Sequence, residues 1–374
     1  MRIQAAVLHE IAKPRPYADS RPLVVEDLDL DPPGEGEVLV EIRAAGLCHS
    51  DLSVINGDRP RPVPMALGHE AAGVVAEVGG GVDDLKAGDR VVMAFVPSCG
   101  HCLPCMSGRP ALCEPGAAAN AAGTLLSGAR RLKLDGRPVN HHMGLSVFAD
   151  HAVVSRRSLV KVESDLAFDK LALFGCAVMT GVGSVVNTAR VAAGTSVAVV
   201  GLGGVGLNAL LAARLVGARQ ILGIDFSPGK LALARDLGAT AVFDAGDGAC
   251  ADAVRAATSG GVDYAFEMAG SVKAMDLAYR ITRRGGMTVT AGLSNPEHEF
   301  SVRHVSIVAE ERCVMGSYIG SCVPLRDIPR YVALHEDGRL PIGRLMSGHV
   351  RLDDLNAAFD KLADGSVVRQ VLTF

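Results

Sequence analysis

The sequence has neither a long apolar run nor a large excess of one charge. Glycine and charged residues interrupt even its richest apolar region, around Val197 to Ala213, so no run reaches the roughly 18 uninterrupted apolar residues of a membrane-spanning helix. The formal net charge of −4 is neither basic enough to attract nucleic acid nor acidic enough to indicate disorder. The opening residues, MRIQAAVLHE, lack the basic and apolar regions of a secretory signal. We therefore expect a globular, cytoplasmic protein without a membrane or nucleic-acid partner.

Internal repeats and low-complexity tracts are missing as well. At 374 residues the chain exceeds what one hydrophobic core usually supports, so we expect two domains. Before about residue 178, short β-rich runs are separated by Gly and Pro turns, which is typical of a domain built from strands. These runs are EVLVEIRAAG (37–46), AAGVVAEVG (71–79) and DRVVMAFV (89–96).

After residue 178, strands and helices are predicted to alternate. Six apolar runs with the length of buried strands are separated by helix-like stretches such as LNALLAARLVGA. The six runs are TSVAVVG, RQILGID, ATAVFDA, VDYAFEM, GMTVTAG and RCVMGSY. This alternation predicts an α/β fold with a parallel, doubly wound sheet. We expect domains at residues 1–178 and 179–319, and we expect the less regular segment 320–374 to rejoin the first domain.

Four of the nine cysteines stand close together, at Cys99, Cys102, Cys105 and Cys113. Four thiolates can enclose one ion tetrahedrally and leave no position open, so this spacing predicts a structural zinc rather than a catalytic one. A bacterial-type iron–sulfur run would have a shorter gap before its fourth cysteine and a proline after it, whereas Glu114 follows here. Disulfides would need an oxidising compartment. Scattered free thiols stay an alternative.

The residues from Gly201 to Gly206 form the pattern G-x-G-x-x-G between a predicted strand and a predicted helix. The first glycine permits a tight turn, the second lets a pyrophosphate approach the backbone, and the third lets helix and strand pack closely. Asp225 ends the next predicted strand, where its carboxylate would bind the adenosine ribose and repel a 2′-phosphate. We therefore predict an NAD site. Such glycine turns also occur for purely structural reasons, and a nearby arginine would permit NADP.

A second metal site can be sought among the remaining residues. Cys48, His69 and Cys176 offer two thiolates and one imidazole, a ligand set that leaves the fourth position of a tetrahedron open. Each has an ordinary alternative, because Cys176 lies in an apolar run suited to a core and His69 lies in a turn. The three are far apart in sequence, so spacing does not decide between these interpretations.

Several segments together resemble the zinc-dependent medium-chain alcohol dehydrogenases, in the longer-chain branch of that family. GLCHSD, GHEAAGVV, the four-cysteine run, GCAVMTGVGSVVNTA, GLGGVG and FEMAG follow one another in the order of that family, and the similarity extends from about residue 5 to VVRQVLTF. The resemblance implies a β-rich GroES-like catalytic domain beside a Rossmann domain. It also implies two zinc ions, one catalytic at Cys48, His69 and Cys176 and one structural at the four-cysteine run. The remaining cysteines, Cys250, Cys313 and Cys322, are then expected only to pack.

The resemblance also assigns roles to individual residues. Ser50 corresponds to the hydroxyl that bonds the substrate oxygen, Asp51 to the carboxylate that orients the histidine ligand, and Glu70 to an acidic neighbour of the metal. Without the family context, Ser50 could instead be a helix-capping serine. The residues implied in cofactor binding are His49, Thr180, Gly201, Gly203, Gly204, Val205, Gly206, Asp225, Lys230 and Arg369. The residues implied in the substrate pocket are Phe95, Met143, Leu293 and Ile319, each of which could equally be plain core.

The chain departs from the family pattern at several positions. Ser53 stands where well-studied members have the histidine that ends a proton relay, so we expect water or the cofactor ribose to pass the proton to solvent. His49 stands where arginine often faces the pyrophosphate, which predicts looser, pH-dependent cofactor binding. Arg59 and Ala117 stand where the glutathione-dependent formaldehyde dehydrogenases typically have an acidic residue and an arginine. We therefore expect no glutathione site.

The function predicted from these features is hydride transfer between an alcohol and NAD at a zinc ion. The substrate is expected to be a medium-sized apolar or aromatic primary or secondary alcohol, and the protein is expected to be a homodimer, with a tetramer possible. One alternative is a nicotinoprotein that retains NAD and passes electrons to an external acceptor. Another is a catalytically silent binding protein, which all seven predicted metal ligands argue against.

Overall fold

The computed structural model describes all 374 residues. They form two compact units, each with its own core. One unit comprises Met1–Cys176, Val323–Ala333 and Met346–Phe374, and is called the barrel unit below. The other comprises Ala177–Cys322 and Leu334–Leu345, and is called the six-strand unit.

The strands are mostly short and are distributed along the whole chain. They are β1 (Arg2–Leu8), β2 (Leu23–Leu30), β3 (Glu37–Gly46), β4 (Met65–Ala66), β5 (Ala71–Val78), β6 (Arg90–Met93), β7 (Leu132–Leu134), β8 (Arg137–His141), β9 (His151–Ser155), β10 (Leu159–Lys161), β11 (Ser196–Val200), β12 (Gln220–Asp225), β13 (Ala241–Asp244), β14 (Val262–Glu267), β15 (Thr282–Thr290), β16 (Cys313–Gly316), β17 (Met346–Val350) and β18 (Arg369–Thr373).

The helices are longest and most regular after residue 200. They are α1 (Tyr17–Ser20), α2 (His49–Ile55), α3 (Leu103–Met106), α4 (Glu114–Ala122), α5 (Phe168–Ala172), α6 (Ala177–Gly183), α7 (Gly204–Leu215), α8 (Pro228–Leu237), α9 (Cys250–Ala257), α10 (Val272–Ile281), α11 (His304–Ala309), α12 (Pro324–Glu336) and α13 (Leu355–Ala363). No single helix is long and apolar enough to cross a membrane; the consecutive segments Phe168–Gly175 and Ala177–Thr188 pass that test only when taken together.

The barrel unit contains two sheets. Strands β1, β2, β7, β8 and β4 close into a small barrel, and β10, β6, β5, β3, β18 and β17 form a second sheet, with β9 paired to β3. The C-terminal strand β18 pairs antiparallel with β3, which places the last residues of the chain beside the segment that leads to Cys48. The barrel interior is filled by aliphatic side chains such as Val7, Leu28, Val139 and Val153.

The segment 117–140, which follows the four-cysteine run, contains regular secondary structure. Helix α4 covers its beginning, because Pro115 occupies the first turn and the Cys113 side chain accepts a hydrogen bond from the Gly116 N–H at the helix start. Strands β7 and β8 then form a hairpin that pairs with β2 and β4 and so completes the barrel.

The six-strand unit contains one parallel sheet with the strand order β13-β12-β11-β14-β15-β16. This order reverses direction beside β11, which is the doubly wound arrangement that the six apolar runs predicted. Its strands carry continuous apolar runs because both faces are covered, and residues Val197, Ala198 and Val199 of β11 are fully buried. The prediction of an α/β fold is confirmed.

Local signals in the sequence account for the helix ends of this unit. Ser227 caps α8 by accepting from the Lys230 N–H, with Pro228 at the first helical position and Gly238 ending the helix at φ 112°. Ser271 caps α10 in the same way, accepting from the Ala274 N–H at 3.1 Å. These helices cover the sheet and leave the carboxyl ends of its strands for ligands.

Candidate metal and dinucleotide sites

Three residues that are far apart in the sequence meet in the interior of the barrel unit. The ligand atoms of Cys48, His69, Glu70 and Cys176 lie within 4.8 Å of one another. Cys48 is 7% exposed, Cys176 is 5% exposed, and His69 is fully buried. The structure therefore brings together the three predicted ligands of a catalytic metal, with a carboxylate beside them.

Local backbone geometry presents each of these side chains. Cys48 is the N-cap of α2, and only Leu47 separates it from the end of β3 at Gly46. His69 follows Gly68, whose φ of 91° favours glycine and where a Cβ would lie 2.5 Å from the Phe148 nitrogen. Cys176 follows a short helical turn and has φ −142°. Ser50 lies inside α2 and is not its N-cap. The alternative interpretation of Ser50 as a helix-capping serine is therefore wrong, because Cys48 occupies the N-cap position.

The hydrogen bonds of His69 define which of its nitrogens can bind a metal. Its Nδ1 lies 2.9 Å from Asp51 Oδ1, whereas its buried Nε2 has no hydrogen-bond partner. A buried imidazole nitrogen without a partner is costly unless a ligand completes it. Since Asp51 occupies the other nitrogen, Nε2 is the atom left to coordinate, and the Cys2His donor set fits zinc.

The two thiols of this cluster are strongly coupled. Hydrogen bonding with Cys176 lowers the pKa of the Cys48 thiol well below its usual range, and the same contact raises the pKa of Cys176. The pair thus retains a proton that a divalent cation would displace on binding.

Glu70 and Arg369 form a buried ion pair beside the thiols, with Arg369 only 4% exposed. Burial raises the pKa of Glu70 to about 7, although the nearby Arg369 guanidinium opposes that shift. Gly46 is required here, since a Cβ would lie 2.7 Å from Glu70 Oε1. The arginine predicted to bind the cofactor is therefore also the counter-ion of Glu70.

The four-cysteine run forms a second cluster whose ligand atoms also lie within 4.8 Å of one another. Cys99 and Cys113 are buried, and Cys102 and Cys105 are partly exposed. Backbone N–H groups approach the sulfurs: Cys99 N lies 3.2 Å from Cys113 Sγ, and Cys102 N lies 3.3 Å from Cys99 Sγ. Although burial opposes it, backbone hydrogen bonds from His101 and Cys102 lower the pKa of Cys99 to about 7. This geometry suits a closed tetrahedral site.

The glycine motif lies at the start of α7 in the six-strand unit. Gly201 has φ 92°, and a Cβ there would lie 2.7 Å from the Ala269 nitrogen, while a Cβ on Gly206 would collide with the Gly201 carbonyl oxygen. A Cβ on Gly203 would meet no protein atom within 4 Å. The first and third glycines are therefore needed for packing, whereas the open side of Gly203 suits the approach of a phosphate.

Asp225 connects this motif to the end of β12. Its Oδ2 accepts from the Leu202 N–H at 2.7 Å, and its Oδ1 accepts from the Ser227 N–H at 2.9 Å. The carboxylate thus holds the glycine turn and still has lone pairs for a ribose hydroxyl. The fit to a dinucleotide rests on this carboxylate together with the open side of Gly203.

The other predicted site residues divide between the two units. His49, Ser50, Phe95 and Met143 belong to the barrel unit, where the Phe95 ring lies edge-on to His69 with centroids 5.1 Å apart. In the six-strand unit, Thr180 lies in α6 and Gly204 and Val205 begin α7, and Lys230 is in the first turn of α8. Of the predicted pocket residues in this unit, Leu293 is 49% exposed and Ile319 is buried with φ 52°.

Sequence analysis missed His142, which lies beside Asp51 and His69. It is fully buried, and its Nδ1 lies 3.2 Å from the same Asp51 oxygen that His69 contacts. Burial lowers its pKa, although the nearby Asp51 carboxylate opposes that shift. The pair His141-His142 was visible in the sequence, but nothing in its pattern indicates which carboxylate it meets.

Comparisons with known proteins cover the whole chain. The family model described as "Alcohol dehydrogenase GroES-like domain" matches residues 34–164, and that described as "Zinc-binding dehydrogenase" matches residues 204–337. S-(hydroxymethyl)glutathione dehydrogenase of Paracoccus denitrificans is 36% identical, with 100% of both chains covered. The chain belongs to the zinc-dependent medium-chain alcohol dehydrogenases.

Solved structures of this family superpose on the entire chain. An alcohol dehydrogenase zinc-binding domain protein from Burkholderia ambifaria matches with a TM-score of 0.93 at 34% identity, covering 100% of this chain and 99% of that one. Benzyl alcohol dehydrogenase from Acinetobacter calcoaceticus matches with a TM-score of 0.93 at 30% identity and the same coverage. The predicted family and the predicted enzyme class, an oxidoreductase of the zinc alcohol dehydrogenase type, are confirmed. Zinc and NAD, the predicted cofactors, are those typical of this family.

Proposed function

We propose that this medium-chain dehydrogenase oxidises a medium-sized apolar or aromatic alcohol, reversibly, with NAD as the hydride acceptor. The proposal rests on the close approach of the buried side chains of Cys48, His69 and Cys176. The Nε2 of His69 has no hydrogen-bond partner there. A zinc ion held there would supply a Lewis acid that polarises the substrate oxygen, and NAD would supply the hydride acceptor.

The residues around this cluster have distinct tasks in the proposal. Asp51 orients His69 through the bond to Nδ1, so that Nε2 faces the metal. Ser50, half-buried in the first turn of α2, hydrogen-bonds the substrate oxygen and relays its proton, giving up its own hydroxyl proton as it takes that of the substrate. Glu70 contributes a carboxylate next to the ligand thiols, and Arg369 balances its charge.

Ser53 does not replace the relay histidine of other family members. Its hydroxyl donates to the Ser50 carbonyl oxygen at 2.9 Å, and a serine does not act as a base near neutral pH. The proton from Ser50 is therefore passed to water or to the cofactor ribose.

The preference for NAD rests on Asp225. Its carboxylate at the end of β12 accepts hydrogen bonds from a ribose and repels a 2′-phosphate. Gly201, Gly203, Gly204, Val205 and Gly206 hold the pyrophosphate, and His49, Thr180, Lys230 and Arg369 complete the cofactor contacts. The four-cysteine run holds a structural zinc.

Each domain has a separate role in the proposal. We propose a catalytic domain at 1–178, an NAD-binding domain at 179–319 and a returning segment at 320–374. Residues 323–333 and 346–374 belong to the barrel unit and support this division, whereas residues 320–322 and 334–345 belong to the six-strand unit. Phe95 and Met143 are the proposed substrate contacts on the barrel unit, and Leu293 and Ile319 are those on the six-strand unit.

The enzyme is proposed to be a cytoplasmic homodimer. Support comes from β16, which is an edge strand of the parallel sheet and leaves Val314 41% exposed and Met315 38% exposed. On the neighbouring helix α11, Val305 and Val308 are each 65% exposed. An unpaired apolar edge of this kind is suited to pairing with a second copy.

A glutathione adduct is the second candidate substrate, since the Paracoccus relative is named for one. Arg59 and Ala117 argue against it, because neither provides the contact that the glutathione-dependent members have at those positions. The likeness to a benzyl alcohol dehydrogenase of known structure favours the aromatic substrate.

Metal analysis combined with NADH formation tests the proposal. Two zinc ions per chain and a kcat/KM for benzyl alcohol at least about 10-fold above that for ethanol and for a formaldehyde–glutathione mixture are expected. A ranking led by the glutathione mixture would reverse the substrate assignment. Protein purified with NAD already bound and unable to exchange it would favour the nicotinoprotein alternative.

A further inference from the structure

The second buried histidine of the cluster has no role in the chemistry described so far. His142 is fully buried, and neither of its ring nitrogens has an aligned hydrogen-bond partner. Its ring lies edge-on to His69, with centroids 5.6 Å apart and an interplanar angle of 87°. A buried polar ring without full hydrogen bonding is expensive to retain, which indicates a role other than packing.

The backbone around His142 is also unusual. Three of the four residues that follow it, Met143, Gly144 and Ser146, have φ values of 52°, 68° and 57°. Left-handed conformations at non-glycine residues are strained and persist only where the surroundings enforce them. The N–H groups of Leu145 and Ser146 both donate to the His142 carbonyl oxygen, so the turn is closed immediately beside this histidine.

This turn is fastened to the segment that carries His69. The Ser146 hydroxyl accepts from the His142 N–H at 2.9 Å and donates to the Ala66 carbonyl oxygen at 2.7 Å. The Phe148 N–H donates to the Leu67 oxygen at 3.0 Å, and the Val147 N–H to the Gly68 oxygen at 3.2 Å. The two histidines are thus held in fixed relation by their backbones.

The carboxylate of Asp51 lies between them. Its Oδ1 is 2.9 Å from His69 Nδ1 and 3.2 Å from His142 Nδ1, while its Oδ2 accepts from the Cys48 N–H at 3.3 Å. Without His142, these contacts of the carboxylate would be only with Cys48 and with His69, the ligand that it is itself expected to orient. His142 is a contact independent of the metal ligands, supplied by a separate turn of the chain.

We propose that His142 is a positioning residue, which fixes the Asp51 carboxylate and through it the angle at which His69 presents Nε2 to the metal. This inference rests on the proposed function in that His69 is taken to be a ligand. It requires only the 3.2 Å approach of His142 Nδ1 to Asp51 Oδ1, an electrostatic contact that needs no aligned hydrogen bond.

A matched pair of substitutions separates this role from packing. His142→Asn places an amide N–H near the position of Nδ1, and His142→Leu has nearly the same size without a donor. Both shorten the side chain, so both are expected to lower the melting temperature. His141→Leu is the control, because it removes the adjacent buried imidazole, which accepts from the Arg131 N–H at 3.0 Å.

The measurements are made on the holoenzyme. For His142→Leu we expect zinc from the catalytic site to pass to a chelator about 3- to 10-fold faster than in the wild type, and the visible absorption of the cobalt-substituted protein to shift. For His142→Asn the release rate should stay within about twofold of the wild type and the spectrum should be restored. His141→Leu should keep the wild-type spectrum.

Each other outcome contradicts the proposal in a recognisable way. Equal release rates and spectra for His142→Leu and His142→Asn would show that His142 only fills space. A third metal ion per chain, lost in both variants, would make Asp51, His69 and His142 a metal site of their own, which their ligand atoms, all within 4.8 Å, could form. A wild-type chain that binds no metal at Cys48 and His69 would overturn both this proposal and the proposed function.

Discussion

The two cysteine clusters of the barrel unit reach the same ligand spacing in different ways. Cys99 to Cys113 lie within one short segment, and backbone N–H groups of that same segment approach their sulfurs. Cys48 and Cys176 come instead from distant parts of the chain, and the fold has to bring them together. The four cysteines of the first cluster come from one segment, and we call it the local cluster. Cys48, His69 and Cys176 are brought together only by tertiary structure, and we call them the scattered cluster.

Their surroundings differ as much as their origins. The ligand atoms of the local cluster are approached by backbone amides, and two of its cysteines are partly exposed. The scattered cluster is surrounded by Asp51, Glu70 and Arg369, all almost completely buried. Burying charged groups is costly, so their concentration around Cys48 and Cys176 supports the catalytic role proposed for this cluster.

The largest expected effect comes from breaking the scattered cluster. Cys176→Ala removes a catalytic ligand and should reduce turnover by at least roughly 10³-fold, because the Lewis acid contributes several kcal/mol to the reaction barrier. NADH formation measures the loss, and metal analysis should find one zinc per chain instead of two. Circular dichroism should stay unchanged; a variant that unfolds would mean that this cluster also maintains the fold.

Breaking the local cluster should have the opposite result, a large loss of stability with a small loss of turnover. Cys102→Ser removes a ligand whose binding energy contributes to folding, so the melting temperature should fall by roughly 10 °C and one zinc should be lost. Calorimetry and metal analysis measure both effects, while the turnover of the remaining folded protein at low temperature should change much less than in Cys176→Ala. An unchanged melting temperature would contradict a structural role for the four cysteines.

The buried charges around Cys48 provide a third test. Arg369→Met leaves Glu70 buried without its counter-ion and should destabilise the protein by about 3–5 kcal/mol in denaturant unfolding. Arg43→Met is the matched control, because Arg43 pairs with Glu41 at 2.9 Å on the exposed surface and should cost less than about 1 kcal/mol. The double variant Glu70→Gln/Arg369→Met should recover part of the loss; no recovery would show that Arg369 stabilises through contacts other than Glu70.

The contrast between local and distant contacts also explains which features could be predicted from the sequence. The parallel sheet was predictable because strands buried on both faces have continuous apolar runs, and α8 and α10 begin at serine caps that the sequence shows. The four cysteines were predictable because their chemistry is contained in one segment. Cys48, His69 and Cys176 could be proposed only as residue types until a family resemblance connected them.

Contacts between distant residues account for what was missed. Glu70 and Arg369 form an ion pair although they are 299 positions apart, and no local sequence pattern predicts this contact. His142 contacts Asp51 because a strained turn is fastened to the segment before His69, which only three-dimensional structure shows. The hairpin of β7 and β8 had ordinary local signals, but its place in the barrel is set by pairing with β2 and β4.

The smallest expected effect concerns the proton that leaves the scattered cluster. Ser53→His introduces a base five residues after Cys48, where the present hydroxyl only donates to the Ser50 carbonyl oxygen. An added relay base should raise the rate of alcohol oxidation at about pH 6 by roughly 3- to 10-fold and change it little at about pH 9, where hydroxide already removes the proton. The pH dependence of kcat measures this difference, and Ser53→Asn controls for the change in size. If the profiles of the histidine and asparagine variants coincide, the proton does not pass near residue 53, and its route from Ser50 runs entirely through solvent or cofactor.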